Sequence, residues 1–349
     1  MTKDFTDFRN SFFALVEQSE HIVITAHYSP DDDSIGSVLS TYTILKAKYS
    51  DKDIRIVYTG PIVDRYNIFH HFDKIEWVDD IAHHVDGTDL LVILDVNRLS
   101  RISNLSEQLP KIANIISIDH HATKGDEVTL ALVESGYSSN SELLYNVFDA
   151  EHFLTKELAE LFLLGILGDT GNLTHIDSSQ SEVFTIVKKL VEIGDIRIDS
   201  FLSQFRMMEK SVVPLLQEFV KNTTFIDIEG WPSMQYSFIT RSFAAEHAIS
   251  DEDMSAASHI YMGQYLPRIK GQAWGVVFSP RSDGGVRMSS RSLARSVNVR
   301  LLCEGMGIGG GHDRASGANF KHDDGTAMEV ADAIDTLFKY MQNNKPVLS

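Results

Sequence analysis

Short apolar runs alternate with amphipathic stretches through the first half of the chain. Four aliphatic runs predict strands, at residues 21–26, 54–58, 90–94 and 114–118. Apolar positions at helical spacing predict helices at residues 34–49, 141–150, 155–167 and 181–193. The last two strands are continuous apolar runs, which is typical of strands that are covered on both faces. This alternation predicts an α/β fold with a doubly wound, mostly parallel sheet.

The pattern changes near residue 195, where a helical connector containing Pro214 is predicted. Further strands are predicted beyond it, at residues 223–228, 234–239, 274–279 and 286–290, with helices at 251–263 and 326–341. The sequence therefore predicts a first domain at residues 1–195, a helical connector at 196–221 and a smaller α/β domain at 222–349.

The composition and net charge of the chain exclude several classes of protein. The 349 residues are 43% hydrophobic, enough for a buried core, and carry a formal net charge of −18. This charge argues against a protein that holds long duplex nucleic acid, because such a protein presents a broad basic face. No apolar run approaches the roughly 20 residues that span a bilayer, and the N-terminus does not resemble a signal peptide. The single cysteine, Cys303, excludes an intramolecular disulfide, so a cytoplasmic protein without membrane contact is expected.

One segment reverses the overall charge. Residues 264–303 contain seven basic side chains and one acidic side chain, so this segment carries +6 and the rest of the chain carries −24. Two interpretations stay open at this point. The segment is either a solvated basic face or a wall that binds a small anionic substrate.

An acidic segment lies where the first strand ends and the first helix begins. Residues 27–37 contain one histidine and three consecutive aspartates, namely His27, Asp31, Asp32 and Asp33. In open α/β sheets, ligands bind at the carboxyl ends of the strands. Three adjacent carboxylates repel each other and favour a bound cation, although Asp33 or Ser34 could instead serve as a helix cap.

Two later strands are followed by side chains of the same kinds. Asp95 follows the strand at 90–94, and Asp119, His120 and His121 end or follow the strand at 114–118. Adjacent histidines at a strand end suit a site in which one binds a metal and the other a substrate or a proton. Turn and loop residues are the alternative interpretation. The histidine pairs at residues 70–71 and 83–84 do not follow a buried strand and are interpreted as ordinary surface histidines.

A glycine-rich sequence, Gly-Ile-Leu-Gly-Asp-Thr-Gly at residues 165–171, closes the helix at 155–167. With it, four loops bring six metal donors to one sheet edge: His27, Asp31, Asp33, Asp95, His120 and Asp169. Carboxylates and imidazoles without thiolates suit Mn²⁺ or Mg²⁺. Six donors exceed what one Mg²⁺ usually takes from protein, so two divalent cations are predicted, with one carboxylate bridging them.

The order of these motifs resembles the DHH phosphoesterase superfamily. The shared motifs are HxxxDxD, a strand-end aspartate, Asp-His-His and GxLGDTG. The C-terminal part resembles the DHHA1 domain that usually follows, through Arg291, Ser292, Asn298, Gly309, Gly310, Gly311, His312 and the Ala-Ser-Gly sequence at 315–317. The resemblance covers roughly residues 20–320.

The resemblance implies roles for the residues of the first domain. One cation would be held by His27 and Asp31, and the other by Asp33, His120 and Asp169, with Asp95 bridging the two. Asp119 would orient the neighbouring histidine, and His121 would contact the scissile phosphate or assist the leaving group. The family often has another residue where this chain has Asp32, so the extra charge could change the metal preference or the rate.

The resemblance also assigns substrate binding to the second domain. Arg291 and His312 would bind substrate phosphates or the terminal nucleotide, with Ser292 and Asn298 in the same set. The backbone amides of Gly309, Gly310 and Gly311 would assist, because consecutive N–H groups in a glycine-rich turn form an anion nest.

The sequence therefore predicts a two-metal phosphoesterase that uses Mn²⁺, with Mg²⁺ or Co²⁺ as alternatives. The resemblance implies short single-stranded RNA and 3′-phosphoadenosine 5′-phosphate as substrates. Linear products of cyclic dinucleotides and polyphosphate are alternative substrates, and a nucleotide-binding regulator without turnover is the alternative outside enzymes. The oligomeric state is left open, a homo-oligomer included.

Overall fold

The computed structural model describes residues 3–103, 109–122, 124–205, 207–322, 324 and 326–348. The chain forms two compact units, Met1–Met207 and Met208–Ser349. Within the described residues, no helix is both long enough and apolar enough to cross a membrane.

The first unit is built on a parallel six-stranded sheet with the order β3-β2-β1-β4-β5-β6. Its strands are β1 (His21–Ala26), β2 (Asp53–Thr59), β3 (Ile75–Val78), β4 (Leu90–Leu94), β5 (Asn114–Asp119) and β6 (Leu130–Val133). Its helices are α1 (Thr6–Gln18), α2 (Asp32–Lys48), α3 (Asn140–Val147), α4 (Lys156–Asp169), α5 (Val183–Gly194) and α6 (Ile198–Phe205). The predicted α/β class and parallel sheet are confirmed.

Alternate residues of the central strands enter different cores, which explains the continuous apolar runs of the sequence. Leu90 and Val92 of β4 pack into the larger core with helices α1 to α6, whereas Leu91 and Ile93 face a smaller core on the other side of the sheet. Short 3₁₀ turns and loops cover that second face. The strand order reverses direction between β1 and β4, so their carboxyl ends flank a crevice of the kind that binds ligands in open α/β sheets.

The second unit contains a mixed six-stranded sheet with the order β11-β12-β10-β9-β8-β7, in which only β8 and β9 pair in parallel among the described strands. Its strands are β7 (Thr224–Ile226), β8 (Met234–Phe238), β9 (Trp274–Pro280), β10 (Val286–Ser292), β11 (Gly309–His312) and β12 (Ala315–Phe320). Its helices are α7 (Val212–Lys221), α8 (Arg241–Glu246), α9 (Asp251–Gln264), α10 (Val299–Gly305) and α11 (Val330–Asn343). Helices α7 and α9 cover one face, and α10 and α11 cover the other.

The predicted connector at residues 196–221 divides between the two units. Helix α6 belongs to the first unit and α7 to the second, with the boundary after Met207. Pro214 lies in the first turn of α7, where its missing N–H is tolerated. The domain limits proposed from the sequence remain a prediction.

Several short elements were not predicted. Strands β3 and β6 have four residues each and are largely half-buried or exposed, so their apolar pattern is weak. Strands β11 and β12 consist largely of small residues, since they read Gly-Gly-Gly-His and Ala-Ser-Gly-Ala-Asn-Phe. All four are specified mainly by pairing with a neighbouring strand.

Candidate metal centre and anion pocket

The predicted metal donors meet at the carboxyl ends of β1, β4 and β5. His27 follows β1, Asp95 follows β4 and His120 follows β5. Asp31 caps the first turn of α2, and Asp169 is the last residue of α4. The parallel sheet brings these loops together because strands of one direction end at the same edge.

The first group of donors consists of His27, Asp31 and Asp95. His27 Nε2 lies 3.4 Å from Asp31 Oδ2 and 3.3 Å from Asp95 Oδ2. His27 Nδ1 lies 3.0 Å from the carbonyl oxygen of Tyr28 and can donate to it. That hydrogen bond places the proton on Nδ1, so the lone pair of Nε2 can bind a metal ion, as is usual for metal-binding histidines.

The second group consists of Asp33, His120 and Asp169. His120 Nε2 lies 3.0 Å from Asp169 Oδ2 and 3.8 Å from Asp33 Oδ2. The carbonyl oxygen of Tyr137 lies 3.3 Å from His120 Nδ1 and orients this ring in the same manner.

Asp95 lies between the two groups. Its Oδ2 faces His27, and its Oδ1 lies 3.5 Å from His120 Nε2. The residue is 2% exposed and has a left-handed backbone conformation, with φ of 58°. Asp95 belongs to the first group, and together with His120 and His121 it forms a third group of possible metal donors. The ligand atoms of each group lie within 4.8 Å of one another.

The chemistry of this site fits bound cations. Asp95 Oδ1 and His120 Nε2 are buried and make no hydrogen bond of good geometry to any described residue. Buried polar atoms without a partner are costly, and a cation between them would satisfy both. The residues present can therefore hold divalent metal ions.

The pKa shifts of the buried side chains also indicate a site for cations. Burial, followed by the charges of Asp95 and Asp169, raises the pKa of Asp33 well above its usual value. Burial opposes protonation of His120, yet Asp169, Asp95 and Asp33 together raise the pKa of that imidazole well above its usual value. The site thus contains an excess of buried negative charge, which divalent cations would relieve.

Backbone amides hold Asp33 in place. The carboxylate is fully buried and accepts hydrogen bonds from Asn140 N at 2.6 Å and Ser141 N at 2.9 Å, both in the first turn of α3. A Cβ atom at Gly165 would lie 1.9 Å from Ser141 Oγ and 2.5 Å from Asp33 Oδ1. Gly165, the first glycine of the glycine-rich sequence at residues 165–171, is therefore needed for the close packing of α2, α3 and α4 around this carboxylate.

The second histidine of the Asp-His-His motif is oriented by the aspartate. Asp119 Oδ1 lies 2.6 Å from His121 Nδ1 and accepts from the backbone N–H of His121 at 3.1 Å. Although burial opposes it, His121 lowers the pKa of Asp119 below its usual value. Asp119 is thus an ionised carboxylate that fixes the ring of His121, whose Nδ1 is 3.6 Å from Asp95 Oδ1.

The second unit has a pocket of about 280 Å³. Arg287, Ser289 and Arg291 of β10 form one wall, and Ser258 and His259 of α9 contribute to another. No carboxylate lines the pocket among the described residues. Burial, followed by the neighbouring charge of Arg287, lowers the pKa of Arg291. Two guanidinium groups without a lining carboxylate favour an anion.

Two details differ from the expectation for the second domain. Gly309, Gly310 and Gly311 form an edge strand paired with β12, so the expected turn conformation is wrong, whereas the binding role of their backbone amides stays a prediction. A Cβ at Gly309 would lie 2.0 Å from Gly317 O, which shows that this glycine permits close strand pairing. The side-chain oxygen of Asn298 caps α10 by accepting from Leu301 N at 3.1 Å.

Only some of the other residues that were predicted to bind substrate line the pocket of this unit. Ser292 is buried, has no hydrogen-bond partner for its hydroxyl among the described residues and is not part of the pocket lining. The side chain of His312 lies outside the described residues. Arg291, Gly310 and Gly311 do line the pocket, and their binding roles remain predictions.

Sequence reasoning missed several residues of both sites. Asn140 and Ser141, which hold Asp33, were not singled out, and the Ser-Ser-Asn-Ser-Glu run at 138–142 was their only signal. Arg287 could have been found, because Arg287, Ser289 and Arg291 alternate along a strand and so share one face. The histidine pairs at 70–71 and 83–84 belong to no cation-binding group among the described residues.

The first unit is thus a parallel α/β unit with groups of possible metal donors at one sheet edge. Residues 21–166 match the DHH family, N-terminal domain. This part of the chain is therefore similar to the N-terminal domain of the DHH family.

Comparisons with individual proteins cover most of the chain. The chain is 26% identical over 330 residues to the bifunctional oligoribonuclease and PAP phosphatase NrnA of Bacillus subtilis, which covers 91% of this chain and 95% of that protein. It is 26% identical over 315 residues to the cyclic-di-AMP phosphodiesterase PdeA of Listeria monocytogenes, which covers 85% of this chain and 44% of that protein. An exopolyphosphatase-related protein from Bacteroides fragilis has the same fold, with a TM-score of 0.79, 21% identity and 97% of each chain covered.

Proposed function

We propose that this protein is a two-metal phosphoesterase that hydrolyses short oligoribonucleotides to mononucleotides and 3′-phosphoadenosine 5′-phosphate to AMP. The observation that carries this proposal is Asp95, which points one carboxylate oxygen at each of two donor groups. A bridging carboxylate is the arrangement that two-metal phosphoesterases use to hold both cations.

The cations would supply an activated water and would offset charge on the phosphoryl oxygens. His27 and Asp31 would hold one cation, Asp33, His120 and Asp169 the other, and Asp95 both. Mn²⁺ is the proposed ion, since the donors are carboxylates and imidazoles without thiolates, and Mg²⁺ or Co²⁺ are alternatives.

The chain's own residues would handle the substrate and the leaving group. His121, held by Asp119, would contact the scissile phosphate and give a proton to the leaving oxygen. Arg287 and Arg291 would bind a phosphate group in the pocket of the second unit. Both arginines belong to the basic segment of an otherwise acidic protein, which favours a small phosphate-bearing substrate over a long duplex.

A dinucleotide is the second candidate substrate. The similarity to a cyclic-di-AMP phosphodiesterase favours it, although this chain spans under half of that protein. The relative named as oligoribonuclease and PAP phosphatase matches this chain almost end to end, which favours the first proposal. The cytoplasmic location stays a prediction from the sequence.

A substrate panel with Mn²⁺, Mg²⁺ and Co²⁺ tests the proposal. It contains a trinucleotide RNA, 3′-phosphoadenosine 5′-phosphate, a linear dinucleotide and polyphosphate, with product followed by chromatography. Release of mononucleotides and AMP supports the first proposal, and turnover of the dinucleotide alone supports the second. Absence of turnover on every substrate with all three metals would contradict both.

Two variants connect that activity to the sites. Asp95→Asn should lower turnover by about 10³-fold or more with an unchanged circular dichroism spectrum, because both donor groups lose a charged ligand. Arg291→Met should raise KM about tenfold with little change in kcat, since it removes a phosphate contact. Arg268→Met is the matched control, because Arg268 lies in the same basic segment and does not line the pocket.

A further inference from the structure

Asp32 stands between two metal ligands in the sequence, yet its side chain is held elsewhere. The groups that can bind a cation among the described residues include Asp31 and Asp33 but not Asp32. The Asp32 carboxylate is nearly buried, with 11% of its side chain exposed. A third carboxylate beside two metal ligands would add a buried negative charge unless a cation compensates it.

Arg65 and Tyr66 provide that compensation. They lie in the 3₁₀ turn Asp64–Tyr66, which follows β2. Arg65 Nη2 and the Tyr66 hydroxyl each donate to Asp32 Oδ1 at 2.7 Å. Arg65 also donates to the Tyr66 hydroxyl and stacks over the Tyr66 ring, with its guanidinium carbon 4.7 Å from the ring centroid. Asp32 therefore has both a charge partner and a second donor on one oxygen.

The other side of Asp32 is fixed by packing. A Cβ atom at Gly168 would lie 2.3 Å from Asp32 Cβ, so Asp32 fills the space that Gly168 leaves open in the last turn of α4. The next residue along α4 is the metal donor Asp169. Asp32 thus joins the first turn of α2, the turn at Asp64–Tyr66 and the end of α4, and metal donors flank it on two of these elements.

We infer that Arg65 and Tyr66 form a clamp that keeps Asp32 out of the metal centre and neutralises its charge. The clamp is a positioning device: it limits the donors of this loop to Asp31 and Asp33 and sets the charge that the cations meet. This inference rests on the two-cation site of the proposed function.

Because Arg65 and Asp32 cancel each other's charge, variants of the two residues should change the Mn²⁺ affinity in opposite directions. Arg65→Met leaves the Asp32 charge uncompensated beside the cations, so Mn²⁺ should bind about fivefold more tightly. Asp32→Asn leaves the Arg65 charge uncompensated, so Mn²⁺ should bind about fivefold more weakly. The double variant should bind Mn²⁺ within about twofold of the wild type, because the two residues act through one shared interaction.

The measurement is a calorimetric titration of Mn²⁺ alone into the metal-stripped full-length protein. Circular dichroism checks that each variant is folded. Arg55→Met is the matched control, since Arg55 pairs with Glu76 elsewhere in the first unit, and its isotherm should match the wild type. Should Arg65→Met fail to fold, Tyr66→Phe replaces it. That variant removes one of the two donors to Asp32 and should shift the affinity in the same direction by a smaller factor.

Opposite shifts in the two single variants that cancel in the double variant support the clamp. Weaker Mn²⁺ binding in both single variants would mean that the contact only stabilises the loop, and this result overturns the inference. Unchanged isotherms in both also overturn it. A wild-type protein that binds no Mn²⁺ would contradict the two-cation site itself, which separates failure of the proposed function from failure of the clamp.

Discussion

Gly165 lies in α4 where this helix meets α2 and α3 beside the metal centre. A Cβ atom there would approach Ser141 Oγ to 1.9 Å, Asp33 Oδ1 to 2.5 Å and Ser141 Cβ to 2.6 Å. Ser141 Cβ is attached directly to the backbone of α3, so rotation of the serine hydroxyl does not relieve the overlap. Gly165→Ala therefore requires α3 or the Asp33 carboxylate to move.

The size of the effect follows from two opposing contributions. An extra methyl group in a close-packed region costs about 1–3 kcal/mol, whereas alanine in place of glycine stabilises a helix by about 1 kcal/mol. The net loss of up to about 2 kcal/mol corresponds to a midpoint of thermal unfolding lowered by up to about 8 °C for a unit of this size. Activity should fall further, by about 10²-fold, because a displacement near 1 Å of a catalytic group has that effect.

The assay compares thermal unfolding and Mn²⁺-dependent hydrolysis of a trinucleotide RNA. Gly263→Ala is the matched control: Gly263 also lies in a helix, and a Cβ there meets no atom within 4 Å. The control should be as stable as the wild type or more stable, with unchanged activity. If Gly165→Ala behaves like Gly263→Ala in both measurements, the close packing around Asp33 does not position this carboxylate and the reasoning is refuted.

Three further predictions address other parts of the chain. Asp119→Asn should lower kcat about 10–100-fold with little change in KM, since Asp119 orients His121; an equal loss in Mn²⁺ affinity would contradict this role. Arg241→Met should destabilise the second unit by about 2–4 kcal/mol in chemical denaturation, because Arg241 donates to the carbonyl oxygens of Arg281, Gly284, Gly285 and Met328; Arg241→Lys should restore only part of the loss. Burial raises the pKa of Cys303 to about 11, so the thiol is protonated at pH 8 and should react with iodoacetamide only after unfolding; rapid alkylation of the native protein would contradict its burial.

The fold was predictable where the periodicity of the sequence was strong. β1, β2, β4 and β5 are fully or mostly buried aliphatic strands, and each was predicted within one or two residues of its bounds. β3 and β6 were missed because four-residue edge strands with half-exposed positions have too little periodicity. The glycines of β11 were interpreted as a turn, since their strand conformation depends on the facing residues of β12.

The sequence by itself determined the chemistry of the metal centre. Each donor follows a strand or begins or ends a helix next to the sheet edge, and parallel strands must end at a common edge, so the six donors could be assembled without coordinates. The spacing of motifs along the chain was sufficient because this rule is local to each strand and its loop.

Only the tertiary structure decided how those donors are used. Three of these arrangements depend on residues that are far apart in sequence. Asp95 faces both donor groups, the backbone amides of α3 hold Asp33, and Arg65 holds Asp32 away from the metal centre. Asp31, Asp32 and Asp33 are chemically identical side chains in consecutive positions. The partner that each one meets after folding separates two candidate metal ligands from a clamped carboxylate, and no local pattern encodes those partners.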